Sequence, residues 1–146
     1  MAICAFFGHK DAPYNVKSIL KQEVIKLIET ESVNRFYVGK EGAFDSMVAE
    51  ILKEVKNEYV DIEYYIVLAY LPTKRESDVE PCSTIYPEGL ELTPKKLAIS
   101  KRNAWMVEQS DFVVVYISRS FGGAVKFKTL AEKKNKNVIN IFDMYK

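Results

Sequence analysis

Three short segments hold the residue types with which this chain could do chemistry, and in each of them glycine stands beside polar or charged side chains. The first is Gly8-His9-Lys10. Glycine allows a ligand to approach the backbone closely. Lysine can meet a phosphate, and histidine can hydrogen-bond a ribose or a base. With no ligand in view, the same triplet is a turn with two solvated side chains. The second segment is Gly39-Lys40-Glu41-Gly42-Ala43-Phe44-Asp45. Two glycines three apart, just before a helix, present backbone N–H groups at the positive end of the helix dipole, where an anion can sit. Asp45 and Glu41 could alternatively bind ribose hydroxyls, and the plainest role for Asp45 is to cap the helix. The third segment is Ser118-Arg119-Ser120-Phe121-Gly122-Gly123-Ala124. Paired glycines, two hydroxyls and an arginine at a helix start suit a phosphate. Neither the G-x-x-x-x-G-K-[ST] phosphate loop nor the G-x-G-x-x-G dinucleotide fingerprint is present.

A fourth group sits on a predicted helix, Lys95 to Gln109, which carries Lys96, Lys101, Arg102, Asn103 and Trp105. Its lysines read as a solvated face. Arg102 and Asn103 are the candidates for buried polar contacts or for contact with a ligand. For catalysis the candidate carboxylates are Glu41, Asp45 and Glu50, of which Glu41 and Asp45 belong near the mouth of a pocket. Metal chemistry is not expected: His9 is the only histidine, and Cys4 and Cys82 lack metal-ligand spacing. Cys4, in an apolar run, reads as a small buried hydrophobe, and Cys82, in a polar loop, as a free thiol. No cofactor is implied.

These segments must be held by an alternation of strands and helices. Ile3–Phe7 is an apolar run ending at Gly8, as expected of a parallel strand covered on both faces. Asn15 is a plausible N-cap for a helix over roughly Val16 to Glu29, with Val16, Ile19, Leu20, Val24, Leu27 and Ile28 at helical spacing. Arg35–Val38 is a second strand, stopping at Gly39. A helix follows through Met47, Val48, Ile51, Leu52 and Val55, with Asp45 or Ser46 capping its first turn. Ile62–Leu71 is the third strand. From Thr73 to Thr93 no period survives, and a long loop or flap is expected. Thr93-Pro94 then reads as an N-cap with proline at the first helical position. Asp111–Ile117 is the clearest strand, Gly122-Gly123 opens a helix through about Lys134, and Asn137–Phe142 is the last strand.

This order predicts one α/β domain over residues 1–146, with a flap at about 73–93. Its core is a Rossmann-like, doubly wound, mostly parallel five-stranded sheet of order 3-2-1-4-5, with helices on both faces. A ligand would bind beyond the carboxyl ends of the strands, at the switch point. The bulk numbers agree with a small folded domain: 146 residues, 48% hydrophobic, 28% charged, net charge +1. The charge balance makes nucleic acid an unexpected partner. Met1–Phe7 is too short for a signal peptide or membrane span. A cytoplasmic protein that forms a closed homo-oligomer and does not engage membranes is expected.

Taken together, the motifs resemble those of the SLOG superfamily of Rossmann-like domains, and within it the small YpsA-like (DUF1273-type) proteins. The family's G-[HY]-[RK] triplet corresponds to Gly8-His9-Lys10, and its G-x-x-G strand end to Gly39 through Asp45. Its K-x-R-N-x-x-M-like helix segment leading into an S-D-apolar strand corresponds to Lys101-Arg102-Asn103 through Met106 and Ser110-Asp111-Phe112-Val113. Its G-G-[AT] helix start corresponds to Gly122-Gly123-Ala124. The resemblance implies binding of nucleotides or nucleotide-derived molecules, such as an ADP-ribose-type or cyclic nucleotide signal. The Lonely Guy branch of that superfamily carries P-G-G-x-G-T-x-x-E with a catalytic glutamate. This chain departs from it: no proline precedes Gly122, Val125 and Lys126 replace the later glycine and threonine, and the next acidic residue is Glu132. A non-catalytic sensor or sequestering protein is therefore expected. The alternative is a nucleoside-phosphate N-glycosidase or deoxyribosyltransferase using Glu41 or Asp45.

Overall fold

The structure is a computed structural model and describes residues 2–71 and 83–145. Strands β1 (Ala2–Gly8), β2 (Val33–Val38), β3 (Glu63–Val67), β4 (Thr84–Ile85), β5 (Phe112–Tyr116) and β6 (Asn137–Asn140) form one parallel sheet. Its order is β4-β3-β2-β1-β5-β6. The expected five-stranded sheet is thus corrected to six. The five anticipated strands stand in the anticipated sequence, and a two-residue strand from the 73–93 segment is added at one edge. Ile66 and Val67 pair with Thr84 and Ile85. Two residues cannot display an alternation, so no pattern in the sequence marks this strand. Residues 73–82 of the expected flap, and Cys82 with them, lie outside the described residues.

Helices α1 (Lys17–Glu31) and α2 (Ala43–Lys56) cover one face of the sheet, and α3 (Ala98–Gln109) and α4 (Gly123–Lys133) cover the other. The strand period of two sorts β1 between them. Cys4 and Phe6 join the core under α1 and α2, while Ala5 and Phe7 join the core under α3 and α4. Phe6 stacks on Phe36 at 6.0 Å, and Phe7 on Phe127 at 5.5 Å. This two-sided burial is why β1 and β5 read as continuous apolar runs. Cys4 is buried, and burial pushes its thiol pKa well up.

Several element boundaries differ from the sequence reading. A 3-10 turn over Tyr14–Val16 precedes α1, so Asn15 lies within that turn and is not the N-cap. Another, Lys95–Leu97, follows Pro94, and α3 begins only at Ala98. Strand β3 ends at Val67, not Leu71: Leu68 and Ala69 are buried but lie beyond the strand, with Ala69 in a bend. Hydrophobicity reports burial there, not strand geometry. After β6, Ile141–Tyr145 turns into a 3-10 helix. Among the described residues, no helix is long and apolar enough to cross a membrane.

Candidate functional site

Strands β1 and β5 are neighbours, and their crossovers leave on opposite faces of the sheet. The crevice this opens at their carboxyl ends holds a cavity of about 390 Å³. Gly8, His9 and Lys10 line it from the end of β1, and Gly39, Glu41 and Asp45 from the loop after β2 and the start of α2. Arg102 and Asn103 approach from α3. Arg119, Gly122, Gly123 and Ala124 complete it from the loop after β5 and the start of α4. Four other sequence candidates lie off the cavity. Lys40 borders a neighbouring depression with Tyr70 and Leu71. Gly42, Ser118 and Ser120 are not in the lining.

The β2–α2 loop is closed on itself. Asp45 does not cap α2 from the N-cap position, which belongs to Gly42 at φ +93°. Asp45 lies in the first turn and accepts the Glu41 N–H at 2.8 Å. Ser46 Oγ donates to the Gly42 carbonyl at 3.1 Å, and the Ala43 N–H donates to the Lys10 carbonyl at 2.8 Å. Arg102 is 1% exposed and binds this loop from α3. Its Nη2 donates to Glu41 Oε1 at 3.2 Å, its Nη1 to the Val67 carbonyl at 2.7 Å, and its Nε to Asn103 Oδ1 at 2.7 Å. The i, i+4 stripe Ala98-Arg102-Met106 thus carries a guanidinium into the core, made tenable by an acceptor for each of its three nitrogens. Burial raises the Asp45 pKa to about 6, with the Arg102 charge opposing the rise. Asp45 can therefore hold a proton near neutral pH and release it.

Glycine serves packing at this end of the site. A Cβ on Gly8 would run into the Phe44 ring, and one on Gly39 would lie 3.0 Å from Asp45 Oδ2 and 3.1 Å from the Arg102 guanidinium. A Cβ on Gly42 would lie 2.7 Å from Lys10 Cα.

The β5–α4 loop is open. Gly122 is the N-cap at φ +111°, and no side chain caps α4. Among the described residues, no hydrogen bond outside the helix engages the Gly123 or Ala124 N–H. A Cβ on Gly123 would meet nothing within 4 Å. His9 closes the floor. Its own N–H donates to the Tyr116 carbonyl at 3.2 Å, its ring packs edge-on against Tyr116, and its Nε2 accepts the Ser118 N–H at 3.1 Å. Burial holds its pKa below the ordinary value, and the nearby Arg119 charge adds to that. Arg119 forks onto Asp11 at 3.1 and 3.3 Å and lies over the Phe121 ring, and its Nε is buried without a partner.

Sequence reasoning omitted several lining residues: Phe6, Phe7, Ile99, Ser100, Lys126 and Phe127. Ile99 lies three residues before Arg102 and Ser100 three before Asn103, so the i, i+3 rule applied from those two residues would have found them. Among the described residues, no group of three or more His, Cys, Asp or Glu side chains could hold a metal ion.

No family model matches the chain, and no curated protein matches its sequence. In structure it is similar to DNA processing protein A (DprA) from Streptococcus pneumoniae, with 17% identity and a TM-score of 0.67. The match covers 94% of this chain and 49% of that chain, so this chain spans about half the length of that protein. The similarity shows a shared Rossmann-like α/β fold.

Proposed function

We propose that the switch-point cavity binds a nucleotide or nucleotide-derived small molecule, and that the protein acts as a non-catalytic sensor or sequestering protein of the SLOG superfamily, of the YpsA-like kind. One observation carries this reading: the uncapped α4 N-terminus and the buried carboxylate of Asp45 face one cavity of about 390 Å³. A phosphate suits the first and ribose hydroxyls suit the second. The volume lies in the range of small-ligand sites. The motifs shared with that superfamily supply the rest of the support. Thermal-shift measurements against nucleoside monophosphates, ADP-ribose forms and cyclic dinucleotides test it. A rise in melting temperature with at least one class is expected, and a flat response to all of them sinks the proposal.

The same reading includes a single domain, a homo-oligomer and a small ligand in preference to nucleic acid. The name of the structurally similar protein ties that protein to DNA processing. In this chain the net charge of +1 offers little to a phosphate backbone. Gel retardation of single- or double-stranded DNA at physiological salt would reverse that preference, and light scattering reads the assembly state.

Asp45 favours a second reading, N-glycosidic hydrolysis or transfer. A buried carboxyl with a pKa near 6 on the cavity wall is a usable general acid. Release of base from nucleoside monophosphates, abolished by Asp45→Asn, is the result it requires.

A further inference from the structure

We propose that His9 is a neutral hydrogen-bond donor to the ligand: the Ser118 amide fixes its proton on Nδ1, and Nδ1–H binds a phosphoryl oxygen at the open N-terminus of α4. This rests on the reading of the cavity as a nucleotide-ligand site and assigns one atom its role there.

The assignment follows from bookkeeping on one ring. The Ser118 N–H donates to His9 Nε2 at 3.1 Å. A nitrogen that accepts carries no proton, and a neutral imidazole has one proton to place, so Nδ1 carries it. Turning the ring over would set a carbon against the Ser118 N–H and lose that part-buried hydrogen bond. Protonating Nε2 would break the same bond and place a charge on a ring that is 4% exposed. The charged groups around the ring are Arg119, which disfavours the imidazolium, and Asp11, which favours it but is already forked by Arg119. The edge-on contact with Tyr116 at 6.2 Å and 86° fixes the ring plane.

Among the described residues, nothing accepts the Nδ1–H. The neighbour on that side is Gly122, whose Cβ direction ends 3.7 Å from Nδ1, and beyond it lie the unengaged amides of Gly123 and Ala124. Two independent features therefore converge on one space: main-chain donors at the start of an eleven-residue helix, and the N–H of a largely buried imidazole whose Nδ1 is not among the fully buried unpartnered atoms and so opens toward the cavity. All of these donors are uncharged, and all lack an acceptor. A phosphoryl group brings several acceptor oxygens at once. A neutral donor is also available unchanged across the physiological pH range, which a titrating histidine is not.

The chain has one histidine, so its imidazole nitrogens can be assigned without ambiguity. Long-range ¹H–¹⁵N spectra of the free protein at pH 7.5 are expected to show protonated Nδ1 and unprotonated Nε2. Adding adenosine monophosphate, ADP-ribose or inorganic phosphate is expected to shift Nδ1–H and slow its exchange. His9→Asn, which keeps a donor near the Nδ1 position, should retain affinity better than His9→Gln, which keeps only the acceptor near Nε2 and should lose about tenfold. An Nε2–H tautomer or an imidazolium at pH 7.5 overturns the proposal. If one of the three probes raises the melting temperature while Nδ1–H stays unmoved, the donor role is wrong and the cavity reading stands. If none of the three binds, the donor assignment falls, and the cavity reading falls with it only when the cyclic dinucleotides also leave the melting temperature unchanged.

Discussion

Two loops of this protein begin a helix with glycine at positive φ, and they differ in how far the rest of the fold fills the space around that glycine. At α2 the first helical amide and the space beside the glycines are filled from within: the Lys10 carbonyl takes the Ala43 N–H, Asp45 takes the N–H of Glu41 just before the helix, and Arg102 closes the rear. At α4 the residues Gly123 and Ala124 line the cavity, no hydrogen bond outside the helix engages their N–H groups among the described residues, and the volume beside Gly123 is open. The same composition thus gives a folded hub in one place and an acceptor-seeking surface in the other. A glycine-rich helix start is a binding site only where the rest of the fold declines to fill it.

The hardest blow to this contrast falls on Arg102. Arg102→Met strips Glu41, Asp45 and the Val67 carbonyl of their cation, and a loss of about 3–5 kcal/mol in urea unfolding is expected. A loss below about 1 kcal/mol would mean the α2 loop does not depend on that hub.

Asp45 comes next, and its sign is unusual. Its folded pKa is raised to about 6 from 3.8, so the native state binds the extra proton between these values and stability falls as pH rises through that window. Asp45→Asn should therefore stabilise the protein at pH 7.5 by at most about 3 kcal/mol, and the gain should vanish by about pH 4. His9 runs the other way. Its folded pKa is depressed below 6.5, so its contribution is present above the unfolded value and is lost on acidification. Stability curves of Asp45→Asn and His9→Asn from pH 4 to 8 should diverge from wild type with opposite slopes. Parallel curves would show that the two loops are electrostatically alike after all.

Gly42→Ala and Gly122→Ala compare the two loops directly. Both place a side chain at positive φ, but only the Gly42 substitution also drives Cβ to within 2.7 Å of the Lys10 backbone. Gly42→Ala should be the more destabilising by about 1–3 kcal/mol, and equal melting temperatures would refute the distinction. The smallest effect on stability belongs to Gly123→Leu, whose Cβ meets nothing within 4 Å. Unfolding should change by about 0.5 kcal/mol or less, while binding of any ligand found by thermal shift should weaken by at least about tenfold. Unaltered binding would remove the α4 start from the site.

Much of the scaffold is legible in the chain. Cys4–Phe7 and Val113–Val115 announce buried parallel strands because both faces are covered, and Met47, Val48, Ile51, Leu52 and Val55 announce α2 by their spacing. Strand β4 is not legible, since two residues have no period. The overextended third strand shows the limit of hydrophobicity, because Leu68 and Ala69 are buried outside any strand. The burial of Arg102 is half legible. Its place on the Ala98–Met106 stripe points it inward, but the acceptors that make this tolerable come from 35 and 61 residues away.

The sequence alone determined that helices alternate with strands, that glycines close three strand-to-helix connections, and that these connections meet at one end of a parallel sheet. It could not determine what each glycine is for. A glycine specifies only that a side chain is missing, and the atoms that take its place arrive largely from elements distant in the chain. Phe44 fills the space at Gly8, Asp45 and Arg102 that at Gly39, and Lys10 that at Gly42. At Gly123 no atom arrives, and packing in three dimensions leaves that one opening to the cavity.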